Sequence, residues 1–178
     1  MKHIFFYILI LFTPMQDNDV LFDFSQEVSS NGWFIINDGV MGGLSKGSFS
    51  VDDNKAFFKG NVSTENNGGF TMVANRFNAL NMERFSKFSL KLKGDGKNYQ
   101  FRVKSDSGQQ FSYVAEFSTN GEWQEIIIPF NSMEPRFRGR LLNLPNFEGV
   151  QIEEIAFLIG NKKMESFELK ISKISAIK

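Results

Sequence analysis

The sequence predicts an all-β protein, an antiparallel β-sandwich of jelly-roll form, and three observations carry that prediction. Apolar and polar residues alternate with period two through the middle of the chain. Clusters of Gly, Asn, Asp and Ser interrupt the alternation about every 8–12 residues, the spacing of short strands joined by turns. Helical periodicity is confined to two short stretches, residues 80–85 and 130–134, each long enough for a turn or so.

The alternation is clearest in residues 87–128. Phe88, Leu90 and Leu92 point one way, with Lys87, Ser89, Lys91 and Lys93 opposite; residues 94–97 then turn the chain back. Tyr99, Phe101 and Val103 face the core, with Gln100, Arg102 and Lys104 on the other side. Phe111, Tyr113, Ala115 and Phe117 repeat the pattern, and Trp123 with residues 126–128 forms a strand that stops at Pro129. This reads as three adjacent hairpin-like units of antiparallel sheet. On the N-terminal side, residues 20–24, 33–36, 48–51, 56–62 and 70–73 are strand candidates, and residues 52–55 supply hairpin turn chemistry. Residues 130–148, with Pro135 and Pro145, read as a long irregular connection; residues 152–159 and 167–171 resume the sheet.

Composition narrows the function. The chain has 178 residues, enough for one domain with a substantial core, and 21 Phe against two Trp and three Tyr to fill it. Twenty basic and 20 acidic side chains balance, so no global field steers the protein to nucleic acid. Cysteine is absent and His3 is the one histidine. That composition excludes a Cys nucleophile, leaves no Ser-His pair beyond the N-terminal segment, and removes the usual His/Cys zinc site. Neither a metal site, a cofactor nor a catalytic residue is expected.

Residues 1–16 read as a signal peptide: a basic start, then nine apolar residues at positions 4–12. That run is shorter than the roughly 20 residues that cross a bilayer, so no span is expected in the mature chain, residues 17–178, a single domain. Cleavage would give an exported protein, periplasmic or secreted. An uncleaved segment would instead pack on the domain or tie it to a membrane.

Residues 33–48 organise the chain. An apolar strand enters, and Asn37-Asp38-Gly39-Val40-Met41-Gly42-Gly43-Leu44-Ser45 breaks it into a loop of specified shape. It is either a structural corner or a binding loop built on Asn37, Asp38, Met41, Gly42, Gly43 and Ser45. It is no phosphate loop, because five residues on from Gly39 stands Leu44, and five on from Gly42 stand Gly47 and Ser48 without the lysine. Asn67, Gly68 and Gly69 form a second polar loop.

Arg136, Arg138 and Arg140 make the concentrated cationic feature. Alternating in an extended segment, they would project together and meet carboxylate or phosphate; pairing with the protein's own acids is the alternative. Asp38, Asp95 and Glu116 are the carboxylates of interest, with structural turn bonding set against a glycan-cleaving pair. Tyr99, Tyr113 and Trp123 are either core or sugar-stacking platforms. Residues 61–63 form a glycosylation sequon, relevant in a eukaryotic secretory pathway.

Five ordered motifs resemble the complex I intermediate-associated protein family, of the thirty-kilodalton type. They are the loop at residues 37–45; Asn66-Asn67-Gly68-Gly69-Phe70; Gly94-Asp95-Gly96-Lys97-Asn98-Tyr99; Trp123 with Ile128-Pro129-Phe130 and Pro135-Arg136-Phe137-Arg138-Gly139; and the closing Ile159-Gly160 and Phe167-Glu168-Leu169. The likeness spans about residues 20–177. It implies a galactose-binding-domain-like β-sandwich and a non-enzymatic, chaperone-like assembly factor for NADH:ubiquinone oxidoreductase, with a protein partner. It brings no catalytic set. The leader departs from a mitochondrial presequence, which keeps an exported carbohydrate-binding module with a glycan partner as the alternative.

Overall fold

The computed structural model describes residues 18–26 and 30–178, apart from the side chains of residues 18, 40 and 41. The expected leader, residues 1–16, lies outside the described residues, and so does the Met41 side chain.

Among the described residues, thirteen strands form two antiparallel sheets packed face to face. They are β1 (Asn18–Asp23), β2 (Trp33–Asn37), β3 (Lys46–Asp52), β4 (Lys55–Val62), β5 (Thr71–Asn81), β6 (Lys87–Lys93), β7 (Asn98–Lys104), β8 (Ser112–Ser118), β9 (Trp123–Pro129), β10 (Glu134–Phe137), β11 (Arg140–Leu141), β12 (Gln151–Ile159) and β13 (Glu165–Ile177). One sheet runs β3-β4-β13-β6-β9, with β1 beside β13; the other runs β11-β10-β8-β7-β12-β5-β2. The expected all-β sandwich is the observed architecture.

Each sheet turns one set of alternate residues inward. Phe101, Phe157, Ile155 and Val103 from one sheet meet Phe88, Leu90, Leu92 and Ile174 from the other, all 1% exposed or less. Aromatic rings crowd this core, with Phe88 and Phe101 edge-on at 5.1 Å and Trp33 stacked on Phe49 at 4.8 Å. Such pairs add to the burial of their area.

The chain path differs from the expected run of hairpins. β7 and β8 form one, but β6 pairs with β9 and β13 in the opposite sheet. Period two shows which residues share a face; it does not show which strand lies alongside. Residues 94–97 and 119–122 are therefore corners between sheets. Thr119 holds them together: its hydroxyl accepts from the amides of Gly96 and Lys97 at 3.1 Å each and donates to the Lys97 carbonyl at 2.9 Å. Asp95 caps the corner, accepting from Lys97 Nζ at 2.6 Å, Tyr99 Oη at 2.8 Å and the Glu168 amide at 3.0 Å. Burial raises the Asp95 pKa, and these donors more than offset it, leaving it below the ordinary value. Turn bonding is thus the role of Asp95.

Two further expectations change. Leu80 lies within β5, and the chain then turns through Met82 and Phe85, so no helix forms over residues 80–85. Residues 134–141 are no irregular connection: β10 joins β8, and a two-residue turn returns the chain as β11. Pro135 turns its carbonyl, and with it its ring nitrogen, toward the short edge strand β11. There the carbonyl accepts from the Leu142 amide at 2.9 Å, and the missing N–H forgoes a bond to the sheet's two-residue edge strand alone.

Candidate functional site

The signature loop is built from the inside. Residues 38–41 form a short 3-10 turn after β2, and Asp38 at its start is 1% exposed. Its carboxylate accepts four hydrogen bonds: from the Ser45 amide at 3.1 Å, the Ser45 hydroxyl, the Gly69 amide at 2.7 Å and the Phe70 amide at 3.3 Å. Burial pushes the Asp38 pKa up, and the Ser45, Gly69 and Phe70 donors override it, so the net pKa lies below the usual carboxylate range. Ser45 also bonds the Ser63 amide at 3.0 Å. Asn37 accepts from the Gly47 amide at 3.1 Å and from Thr71 Oγ1 at 2.6 Å.

The glycines follow from this packing. A Cβ on Gly43 would stand 2.2 Å from Asp38 Oδ1, and one on Gly68 would stand 2.6 Å from Asp38 Oδ2. The two glycines close on the carboxylate from either side. Gly69, at φ +144°, adopts backbone that a side chain disfavours. Asn37, Asp38, Gly43 and Ser45 therefore form a buried staple joining the 38–45 loop to the 63–70 loop.

A groove of about 860 Å³ lies on the outer face of the seven-stranded sheet. Strand register places its floor. Across β2, β5, β12 and β7 one row reads Ile36, Met72, Leu158 and Gln100. Another reads Arg76, Glu154 and Lys104 across β5, β12 and β7. The glycine loop walls one part, through Asn67, Gly68 and Gly69, and the β10–β11 hairpin walls another, through Arg136, Phe137 and Arg138.

Sequence-predicted residues thus divide. Asn67, Gly68, Gly69, Arg136 and Arg138 line the groove; Asn37, Asp38, Gly42, Gly43, Ser45 and Arg140 do not. Nor do the three arginines project together. The chain reverses at Arg138-Gly139, with φ +49° and +79°, so Arg140 opposes Phe137 while Arg136 opposes Leu141 on the other face. Both turn residues are left-handed, the geometry that matches hairpin twist but disfavours arginine. The Arg138 guanidinium lies 5.4 Å from the Phe137 ring centroid.

Strand alternation alone did not single out Arg76, Arg102, Lys104, Lys162 and Glu154. Six cationic side chains and one carboxylate line the groove, in a chain whose charges balance overall. Glu154, 3% exposed, is held by Arg76 Nε at 2.6 Å and Lys104 Nζ at 3.6 Å. Arg136 pairs with Glu134 at 2.7 Å. Arg102, from the middle of β7, forms no hydrogen bond or ion pair among the described residues, and its Nε is buried without a partner. Burial pulls the Arg102 pKa below the usual arginine range; Glu154 opposes that, and Arg136 adds to it.

Aromatic candidates divide too. Tyr99 is buried with its phenol on Asp95, and burial followed by that carboxylate raises its pKa. Tyr113 packs against the core, stacking at an angle on Phe147 at 5.2 Å. Trp123 departs from the inward expectation: it is 40% exposed on the edge strand β9, away from the groove. Phe70 and Phe137 are the aromatic rings that line the groove. Glu116 is exposed and bonds Gln100 at 3.2 Å. No cluster of three or more metal-ligating side chains occurs among the described residues, and no helix there is long and apolar enough to cross a membrane.

Several solved structures share this architecture. The family 11 carbohydrate-binding module of a cellulosomal cellulase of Clostridium thermocellum is 18% identical, with 90% of this chain and 94% of that chain covered at a TM-score of 0.64. The same module in complex with a β-1,3-1,4-mixed-linked tetrasaccharide matches at 0.62, with 18% identity and 90% and 95% covered. A mutant of a family 29 carbohydrate-binding module matches at 0.53, with 12% identity and 89% of each chain covered. These likenesses establish a shared fold. The sequence itself matches Complex I intermediate-associated protein 30 over residues 22–171, five ordered motifs included, and the chain belongs to that family.

Proposed function

We propose that this chain is a non-enzymatic binding module that holds a segment of a partner protein in the groove of the seven-stranded sheet, in a chaperone-like or assembly role. The carrying observation is the segregation of charge: six cations and one carboxylate gather there although the whole chain is neutral. A neutral protein that concentrates one sign in a concave surface attracts a ligand of the other sign. Family membership supports a protein partner, since the family is described by association with intermediates of complex I.

Carboxylate chemistry has little to work with. Asp38 accepts four bonds in the staple, Asp95 is committed to the corner, and Glu154 is engaged by two cations. None stands free beside a second carboxylate in the groove, which supports binding without turnover.

Capture with the full chain tests the reading. A photo-crosslinking residue at Ser112, which lines the groove, should trap a partner protein, and Arg136→Glu with Arg138→Glu should abolish the trapping while leaving the melting temperature within a few degrees. Equal capture by wild type and the double variant removes the groove from the function.

A second reading is a glycan-binding module, favoured by the carbohydrate-binding folds that share this architecture. An exported chain, processed near residue 16, fits it. Calorimetry with the mixed-linked tetrasaccharide checks it, and N-terminal sequencing of protein recovered from the expressing cell's exterior checks export.

A further inference from the structure

We propose that Arg102 is the centre of a carboxylate-recognition subsite in the groove, and that its ligand is an acidic segment of polypeptide carrying apolar residues. This rests on the groove being the binding surface and names what that surface selects.

Arg102 points outward from β7, opposite Ala156 of β12 on one side and Val114 of β8 on the other. Two apolar neighbours offer it no acceptor. Its nearest charged neighbour of opposite sign, Glu154, is already taken by Arg76 and Lys104. The guanidinium has five N–H donors in a planar fork, and among the described residues none is used. Arg102 is half-buried and its Nε–H is fully buried without a partner, which is unfavourable, and Arg136 nearby adds like-charge repulsion. A protein selected for stability alone would place an apolar or neutral side chain there. A carboxylate entering the groove completes the fork with two parallel N–H···O bonds and relieves the repulsion in the same step.

The rim decides what carries the carboxylate. Phe137 lines the groove and is 37% exposed, and Leu141, just outside the lining and cross-strand from Arg136, is 61% exposed. Alternating guanidinium and apolar contacts match a peptide of acidic and aliphatic side chains. Among the described residues lining the groove there is no Tyr or Trp, the rings whose flat faces and polar tips suit sugars. Hence the polypeptide is chosen over an acidic polysaccharide.

The test uses fluorescein-labelled oligopeptides of alternating Glu and Leu, with polygalacturonate and neutral mixed-linkage β-glucan as competing probes. Wild type is expected to bind the acidic peptide with affinity that falls as salt rises. Arg102→Gln should lose roughly tenfold or more, and Arg102→Lys should fall between, because it keeps the charge but not the fork. Lys91→Gln, on the outer face of the other sheet, should bind as wild type. Arg102→Gln should also melt at or above the wild-type temperature, because a buried Nε–H donor without a partner has been removed together with the repulsion from Arg136. A melting temperature several degrees lower would mark Arg102 as structural and overturn the proposal. So would equal peptide binding by wild type and Arg102→Gln, absence of peptide binding by wild type, or tighter binding of polygalacturonate than of the peptide. Loss of binding in Arg136→Glu with Arg138→Glu alongside full binding in Arg102→Gln keeps the groove and rejects this subsite.

Discussion

Asp38 Oδ2 accepts a hydrogen bond from the Gly69 amide at 2.7 Å, across 31 positions of sequence. That bond ties the loop leaving β2 to the loop entering β5, and Gly43 and Gly68 close on the carboxylate from both sides. Asp38→Ala orphans the amides of Ser45, Gly69 and Phe70 in a buried setting. At about 1–3 kcal/mol for each unsatisfied donor, the loss should be about 3 kcal/mol or more, read by urea denaturation.

Gly43→Ala tests the same staple sterically. Its Cβ would meet Asp38 Oδ1 at 2.2 Å and Asp38 Cβ at 2.8 Å, so the carboxylate has to move. Overpacking of this kind costs about 1–3 kcal/mol, and the bonds it displaces place the expected loss at the upper end. Gly39→Ala, with open space around the added Cβ, should cost far less in the same denaturation series.

Stability should fall in acid. Asp38 and Asp95 both have pKa values below the ordinary value near 3.9, so the folded state binds their protons less readily than the unfolded chain. Their stabilisation is fully present above the unfolded pKa and is lost as pH falls through the folded values. Melting temperature should therefore drop below about pH 4, and the drop should be shallower in Asp95→Asn. An identical acid slope in that variant would refute the assignment.

Arg138 opens a turn at φ +49°, a region that arginine adopts with strain. Arg138→Gly should stabilise the hairpin by up to about 1 kcal/mol while weakening ligand capture. Stabilisation with loss of binding identifies a side chain retained for the groove; destabilisation would show that its contact with the Phe137 ring matters more.

Legibility of the fold followed the physics of alternation. Tyr99, Phe101 and Val103 were readable as inward and Gln100, Arg102 and Lys104 as outward, because a strand repeats every two residues whatever its neighbour. What alternation cannot encode is pairing, so the sheet change at residues 94–97 was hidden until Thr119 and Asp95 could be seen holding the corner. The β10–β11 hairpin was masked by Pro135 and by a left-handed arginine, both atypical of the structure they occupy. Within the groove, Arg136, Arg138 and the 67–69 loop were visible as local clusters. Arg76, the β7 pair Arg102 and Lys104, and Lys162 come from three separate segments and converge only through strand order.

The staple and the groove are largely different sets of residues, meeting at Gly68 and Gly69. Mutational pressure on the two is accordingly decoupled. Substitution at Asp38 or Gly43 strikes the bonds that join two loops, while exchange of the outward β7 residues Gln100, Arg102 and Lys104 alters the groove without touching the staple. A motif drawn from the first set therefore reports the fold and carries no information about what the groove holds.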